Sequence, residues 1–99
     1  MINNNNNNNN NNTSTYYIVV AFYKGCAYIL QYNGVLSNIF YNNHIKTLKT
    51  KQTAIKNAHK IGYKYKVSSV KIYRINENDY ISSSNFKEND NNHIYQFIP

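Results

Sequence analysis

The first 76 residues of the chain contain no aspartate or glutamate, although ten lysine and arginine side chains lie among them. All four carboxylates follow residue 76 and stand beside a single lysine, so the net charge is +7. A folded region that cannot neutralise its own lysines projects a positive field, which attracts polyanions or an acidic protein surface. The alternative is that the lysines only keep a small protein soluble, or reflect A/T-rich codons.

The chain has a single cysteine and no long apolar run. Because Cys26 is the single cysteine, it has no partner for an intramolecular disulfide, and a reducing compartment is indicated. Met1 and Ile2 lead directly into asparagines, without the basic and apolar regions of a signal peptide. The apolar stretch at residues 16–23 is far shorter than the ~20 residues of a membrane-spanning helix. We therefore expect a cytoplasmic protein without a membrane segment.

The residue combinations that support catalysis or metal binding are also missing. The three glycines are isolated from one another, which excludes a glycine-rich phosphate loop, and the three histidines lack the spacing of a zinc site. Cys26 falls in a predicted strand, where a buried and inert thiol is expected. The carboxylates fall in a polar loop, which would not hold two of them at the separation that acid–base catalysis needs. We expect a non-enzyme with no cofactor and no metal.

Asparagine is the most abundant residue, with 21 of 99 positions, ten of them at residues 3–12. Such a run buries no apolar surface and is expected to be disordered. The composition predicts three regions: a disordered Asn-rich leader at 1–14, a basic α+β domain at 15–76, and an acidic polar loop or tail at 77–99.

The first half of the basic region has the pattern of an antiparallel meander. Residues 16–23 are aromatic and β-branched, and they are apolar on both alternating faces, which is typical of a central strand. Lys24-Gly25 predicts a tight turn into a second strand at 26–32. Asn33-Gly34 predicts a hairpin into a third strand at 35–41, because both residues accept positive φ.

A helix and a further strand follow. Thr50 is a good N-cap residue and Gly62 a good C′ residue, which together predict a helix over 51–61. Its apolar stripe consists of Ala54, Ile55, Ala58 and Ile61. Residues 67–75 predict another strand, and 93–98 an optional last one. The expected fold is α+β, in the order β-β-β-α-β, with an antiparallel sheet of three to five strands packed on one helix.

Residues 24–31 resemble a known sequence signature at some of their positions. The octet 24–31 looks like the signature of the RNA-recognition motif at its first, second and fourth positions. Cys26 and Gln31 replace two aromatic residues of that signature, and no β-α-β unit precedes the octet. We therefore assign the chain to no family.

Lysine and tyrosine alternate in three places, at residues 23–24, 63–66 and 71–74. Cations that follow phosphates and aromatic faces that stack on bases are the means by which proteins bind flexible nucleic acids. On the sheet face away from the helix, Tyr28, Lys71 and Tyr73, with Tyr16 or Tyr17, would then form an aromatic and basic platform open to solvent. The alternative is that the tyrosines fill a small core with their hydroxyls at its rim.

The sequence thus predicts a small basic module that binds nucleic acid with little sequence specificity. The predicted contacts are Lys24, Tyr28, Lys56, Lys60, Lys64, Lys66, Lys71, Tyr73 and Arg74. The alternative is an adaptor or inhibitor, such as a viral or mobile-element accessory protein, that docks on an acidic protein surface.

Overall fold

One antiparallel sheet of five strands carries an α-helix on one face, in a computed structural model that describes residues 14–39, 44–79 and 81–99. The elements are β1 (Thr15–Tyr23), β2 (Cys26–Leu30), β3 (Leu36–Ser37), α1 (Lys51–Lys64), β4 (Ser69–Asn76) and β5 (Tyr95–Phe97). The strand order is β3-β2-β1-β4-β5. The predicted α+β fold is confirmed, including the optional last strand. The predicted leader lies outside the described residues, apart from Ser14.

The central strand β1 is apolar on both faces because both faces are covered. It pairs with β2 on one side and with β4 on the other. Five consecutive side chains are completely buried: Ile18, Val19, Val20, Ala21 and Phe22. They alternate between two separate cores, one on the helix side of the sheet and one on the opposite side.

Both predicted turns are present. Lys24 and Gly25 have φ angles of 51° and 79°, and they join β1 to β2. Gly34 has a φ of 82°, in the hairpin that leads from β2 to β3. Positive φ at such positions matches the right-handed twist of the flanking strands.

The third strand is shorter than predicted, since β3 contains only Leu36 and Ser37. The Ser37 hydroxyl donates to the carbonyl of Ile39 and accepts from its N–H, both at 3.1 Å. Such a local side-chain contact competes with the strand ladder. Val35, Asn38 and Ile39 of the predicted strand lie outside β3, and residues 40 and 41 lie outside the described residues.

The helix begins where predicted and ends later. The Thr50 side chain accepts a hydrogen bond of 3.2 Å from the N–H of Thr53, which is N-cap geometry. The prediction of Gly62 as the C′ residue is wrong, because the helix continues to Lys64. Gly62 is instead a point of close approach, where a β-carbon would lie 2.7 Å from Cδ2 of Phe97.

On its inner side α1 packs against β1, β4 and β5, while β2 and β3 lie at the other edge of the sheet. Its predicted apolar stripe is confirmed, since Ala54, Ala58 and Ile61 are buried and Ile55 is half-buried. The small alanine side chains allow the helix to lie close to the sheet. The helix therefore lies over β1, β4 and β5 and does not lie over β2 and β3.

The opposite sheet face is also covered, so the prediction of an open platform there is wrong. Lys71 is 2% exposed and Tyr73 is 5% exposed. The covering comes from Ile45 and from residues 77–79 and 81–93, hereafter the acidic strap, which contributes Ile81 and Phe86. These two apolar residues stand in an otherwise polar stretch, so composition alone did not indicate that it packs on the sheet.

The buried ammonium of Lys71 anchors the acidic strap. It donates hydrogen bonds to the main-chain carbonyls of Glu88 and Asp90, the latter at 2.9 Å. It also lies 5.4 Å from the centroid of the Phe22 ring. A buried charge requires such partners, because desolvation without them is costly. Lys71 is therefore a structural residue of this fold.

Candidate nucleic-acid interface

A groove of about 400 Å³ opens on the helix-bearing face of the sheet, beside the C-terminal end of α1. We call it the aromatic groove; it is lined by Tyr23, Tyr28, Val35, Leu36, Tyr65, Lys66 and Val67. The lining residues from 23 to 36 form one side of the groove, and residues 65–67, which follow α1, form the other. Three tyrosines contribute to its surface.

The β1–β2 hairpin positions two of these tyrosines. Tyr28 lies opposite Ala21 in the antiparallel ladder, and opposed residues share a sheet face. Ala21 belongs to the core under the helix, so Tyr28 points to the helix side, and its predicted place on the opposite face is wrong. Tyr23 follows Ala21 by two residues and shares its face. The two-residue turn therefore brings both rings to the same side of the sheet.

The third tyrosine comes from the segment that follows the helix. The N–H of Tyr65 donates to the carbonyl of Ile61 at 2.9 Å and ends α1. The N–H of Ser68 then donates to the carbonyl of Phe22 at 2.8 Å, which fixes the segment beside the end of β1. Tyr65 and Val67 are consequently held next to the hairpin tyrosines.

Cations stand at the rim of the aromatic groove. The Lys24 ammonium lies 5.3 Å from the centroid of the Tyr23 ring, and the Lys64 ammonium lies 5.3 Å from that of Tyr65. Both distances are within the range of a cation–π contact. Lys66 lines the groove itself and is exposed. Positive charge is therefore placed directly beside aromatic surface.

A row of cations continues from the groove along α1. Lys56, Lys60 and Lys64 are exposed and are spaced four residues apart, so they lie on one side of the helix. We call these three residues the cationic helix face. Since α1 ends at Lys64 and the groove begins with the next residue, the row leads into the groove.

The structure separates the nine predicted contacts into groups. At the groove or its rim lie Lys24, Tyr28, Lys64 and Lys66, while Lys56 and Lys60 lie on the helix. Arg74 is exposed, but it lies opposite Tyr17 in the ladder between β1 and β4. Tyr17 is six residues from Tyr23 along β1, which corresponds to about 20 Å. Lys71 and Tyr73 are buried on the other sheet face.

Sequence reasoning left several groove residues out of the predicted contacts, namely Tyr23, Tyr65, Val35, Leu36 and Val67. For Tyr23 a signal existed, since a two-residue turn at Lys24-Gly25 places Tyr23 and Tyr28 on one face. The side chains of residues 63–66 do not all face the groove, since Tyr65 and Lys66 line it and Tyr63 does not. Tyr63 is 77% exposed and its ring contacts Phe97 edge-on at 5.4 Å, away from the groove.

Two further reactive side chains, those of His59 and Cys26, lie outside the groove. Nε2 of His59 lies 2.8 Å from the Tyr95 hydroxyl, and its ring stacks on Phe97 with centroids 4.0 Å apart. This contact joins α1 to β5. The thiol of Cys26 is exposed, contrary to prediction, because this residue is the first of β2 and directly follows the turn.

Burial, with a smaller contribution from Asp90, raises the pKa of Tyr73 to about 12, so its phenol is neutral at physiological pH.

Within residues 14–39, 44–79 and 81–99, no group of three or more His, Cys, Asp or Glu side chains could hold a metal ion. No helix in that part of the chain is both long and apolar enough to cross a membrane.

Comparisons of the chain with models of protein families, with curated proteins and with solved structures found no match. Function is therefore inferred from the residues of this chain and their geometry alone. Among the described residues, the aromatic groove and the cationic helix face place aromatic surface beside exposed cations.

Proposed function

We propose that this protein is a non-catalytic module that binds nucleic acid, with little sequence specificity, through the aromatic groove and the cationic helix face. The observation that carries the proposal is the placement of three tyrosine rings among lysines at one end of α1. Aromatic faces stack on any base, and lysines contact the phosphates common to all sequences. Both interactions therefore tolerate sequence variation.

The distribution of charge supports this surface over the opposite one. The four carboxylates all lie in the acidic strap, and Lys71 holds the main chain of Glu88 and Asp90 against the other sheet face. The lysines of α1 and of the aromatic groove all come from residues before 77, a stretch that includes no Asp or Glu. A field of one sign on one face accelerates the encounter with a polyanion.

The proposal also includes a compartment. A single cysteine, exposed and without a disulfide, suits the reducing cytoplasm. We therefore place the protein in the cytoplasm.

The direct test is the salt dependence of binding to a mixed-sequence oligonucleotide, measured by fluorescence anisotropy. For four to six phosphate contacts we expect a log–log slope of about −3 to −5. Lys60→Gln should lower the affinity and make the slope shallower by about 1. Lys87→Gln, which removes an exposed cation of the acidic strap, is the matched control and should change neither.

Absence of binding at about 50 mM salt, where phosphate contacts are strongest, would overturn the proposal. A pull-down that captures one protein after nuclease treatment, together with that absence, would instead support docking on an acidic protein surface. The two outcomes are separable because nuclease destroys only a nucleic-acid bridge.

A further inference from the structure

We propose that the aromatic groove accepts unpaired bases, so that the ligand is single-stranded rather than duplex nucleic acid. This inference rests on the proposed function and names its substrate class. It is carried by the division of the surface into an aromatic and apolar cavity and a separate row of cations. The bases of a single strand can enter the cavity while its phosphates remain outside.

The dimensions of the groove favour this ligand. A volume of about 400 Å³ is near the lower end of small-ligand pockets, which span about 300–1,000 Å³. The bases of a duplex are paired and stacked on each other, so their faces are not available to a tyrosine ring. A duplex can therefore contact the cationic helix face but not use the groove.

The walls of the groove offer apolar surface on which an unpaired base can pack. Val35 is 51% exposed, and Leu36 and Val67 are half-buried, so they present apolar surface to the same cavity as the tyrosines. Stacking between aromatic and apolar side chains is a common way to hold an unpaired base. The cations lie at the rim, where the phosphates of an inserted base would be. Shape and charge thus indicate the same ligand.

The helix provides a path for the rest of the strand. From Lys64 to Lys60 to Lys56 the helix rises about 6 Å at each step. An extended sugar–phosphate backbone that leaves the groove beside Lys64 can follow this row. The inferred mode therefore combines stacking in the groove with electrostatic tracking along α1.

The experiment compares a labelled RNA of about 12 nucleotides with the duplex of the same sequence, a length within the usual site sizes. We expect the wild-type protein to bind the single strand about tenfold more tightly or better. Tyr28→Ala should weaken single-strand binding by about 5- to 150-fold, the range for loss of a stacked base, and leave duplex binding within about twofold. Tyr28→Phe should retain the affinity, because it keeps the ring. Lys60→Gln should weaken binding of both forms.

Tyr63→Ala is the matched control, since Tyr63 is exposed outside the groove and should not contribute. If circular dichroism shows that Tyr28→Ala does not fold, Tyr23→Ala, at the end of β1, provides the same test. Equal or tighter binding of the duplex, or unchanged single-strand binding after loss of the ring, would overturn the inference and the use of the groove, while nucleic-acid binding through the cationic helix face would stand. Binding of neither form by the wild-type protein would overturn the proposed function itself.

Discussion

The ring of Phe97 rests against the backbone of Gly62, where a β-carbon would lie 2.7 Å from its Cδ2 atom. The same Phe97 ring also stacks on the ring of His59. The strand β5 therefore docks on α1 at a position where the helix has no side chain. The contact explains a glycine within the helix, which otherwise carries an entropic cost.

Gly62→Ala should destabilise the protein. Alanine improves the helix by about 1 kcal/mol relative to glycine, but overpacking in a core typically costs about 1–3 kcal/mol. Here the neighbouring atoms belong to a ring that His59 also holds, so we expect the clash to outweigh the helical gain. Urea denaturation measures the resulting free energy of unfolding.

The control for Gly62→Ala is the same substitution in a Phe97→Ala background. Without the ring, the added methyl group should become neutral or stabilising, because only the helix preference remains. An equal loss of stability in both backgrounds would show that the ring is not the cause.

Lys71→Met should destabilise the fold by about 1–3 kcal/mol, because the carbonyls of Glu88 and Asp90 lose a charged donor. Amide hydrogen exchange should increase first in the acidic strap, which the ammonium anchors. If the variant is folded, its affinity for single-stranded RNA should equal that of the wild type, since Lys71 is buried.

Arg74→Met provides the comparison for Lys71→Met, because Arg74 is an exposed cation of the same strand. Its free energy of unfolding should stay within about 0.5 kcal/mol of the wild type. Similar effects of the two substitutions on stability would contradict a special role for the buried ammonium.

Tyr73→Phe should change how stability depends on pH. Folding raises the pKa of Tyr73 from 10.0 to about 12, so above pH 10 the unfolded chain loses this proton while the folded chain retains it. The unfolded state is thereby favoured, and the contribution of Tyr73 to stability falls as pH rises from 10 towards 12. Chemical denaturation across this window should show a shallower decline for Tyr73→Phe. Parallel curves for the two proteins would contradict the raised pKa.

The same variant makes a prediction at neutral pH. The Tyr73 hydroxyl is buried without a hydrogen-bond partner among the described residues. A buried polar group without a partner costs about 1–3 kcal/mol, so its removal should leave stability unchanged or increase it. A marked loss of stability in Tyr73→Phe would instead reveal a hydrogen bond of this hydroxyl.

Lys24→Asn should separate stability from binding. Lys24 has a φ of 51°, which is unfavourable for lysine and well accepted by asparagine in this type of turn. We expect the variant to be more stable by about 0.5–1 kcal/mol, on the scale of relieved turn strain. It should bind single-stranded RNA more weakly, with a salt slope shallower by about 1, because a rim cation is lost.

Lys87→Asn removes an exposed cation from the acidic strap and should affect neither property of the protein measurably. Unchanged RNA affinity in Lys24→Asn would exclude Lys24 from the interface. Thermal unfolding and anisotropy on the same preparations give both measurements.

The parts of the fold that local rules govern were predictable from the sequence. The β1–β2 turn follows from Lys24-Gly25, and the start of α1 follows from the hydroxyl of Thr50. Gly62 was misassigned because its role depends on Phe97, which lies 35 residues away in the chain. Local patterns contain no information about such a contact.

The candidate site was only partly predictable for a similar reason. Tyr28 and the helix lysines were expected as contacts, but the groove forms where the β1–β2 hairpin meets residues 65–67. This meeting is fixed by the hydrogen bond from Ser68 to Phe22, which no spacing in the sequence indicates. The burial of Lys71 likewise depends on where the acidic strap passes.

Lys71 binds the acidic strap through the main-chain carbonyl oxygens of Glu88 and Asp90. Because every residue carries a main-chain carbonyl, Lys71 constrains the path of the strap and not its composition. Replacing Glu88 and Asp90 by their amides would change the charge of this face without removing its anchor. Anchorage and electrostatic character are therefore two independent properties of the strap, and each can vary without the other.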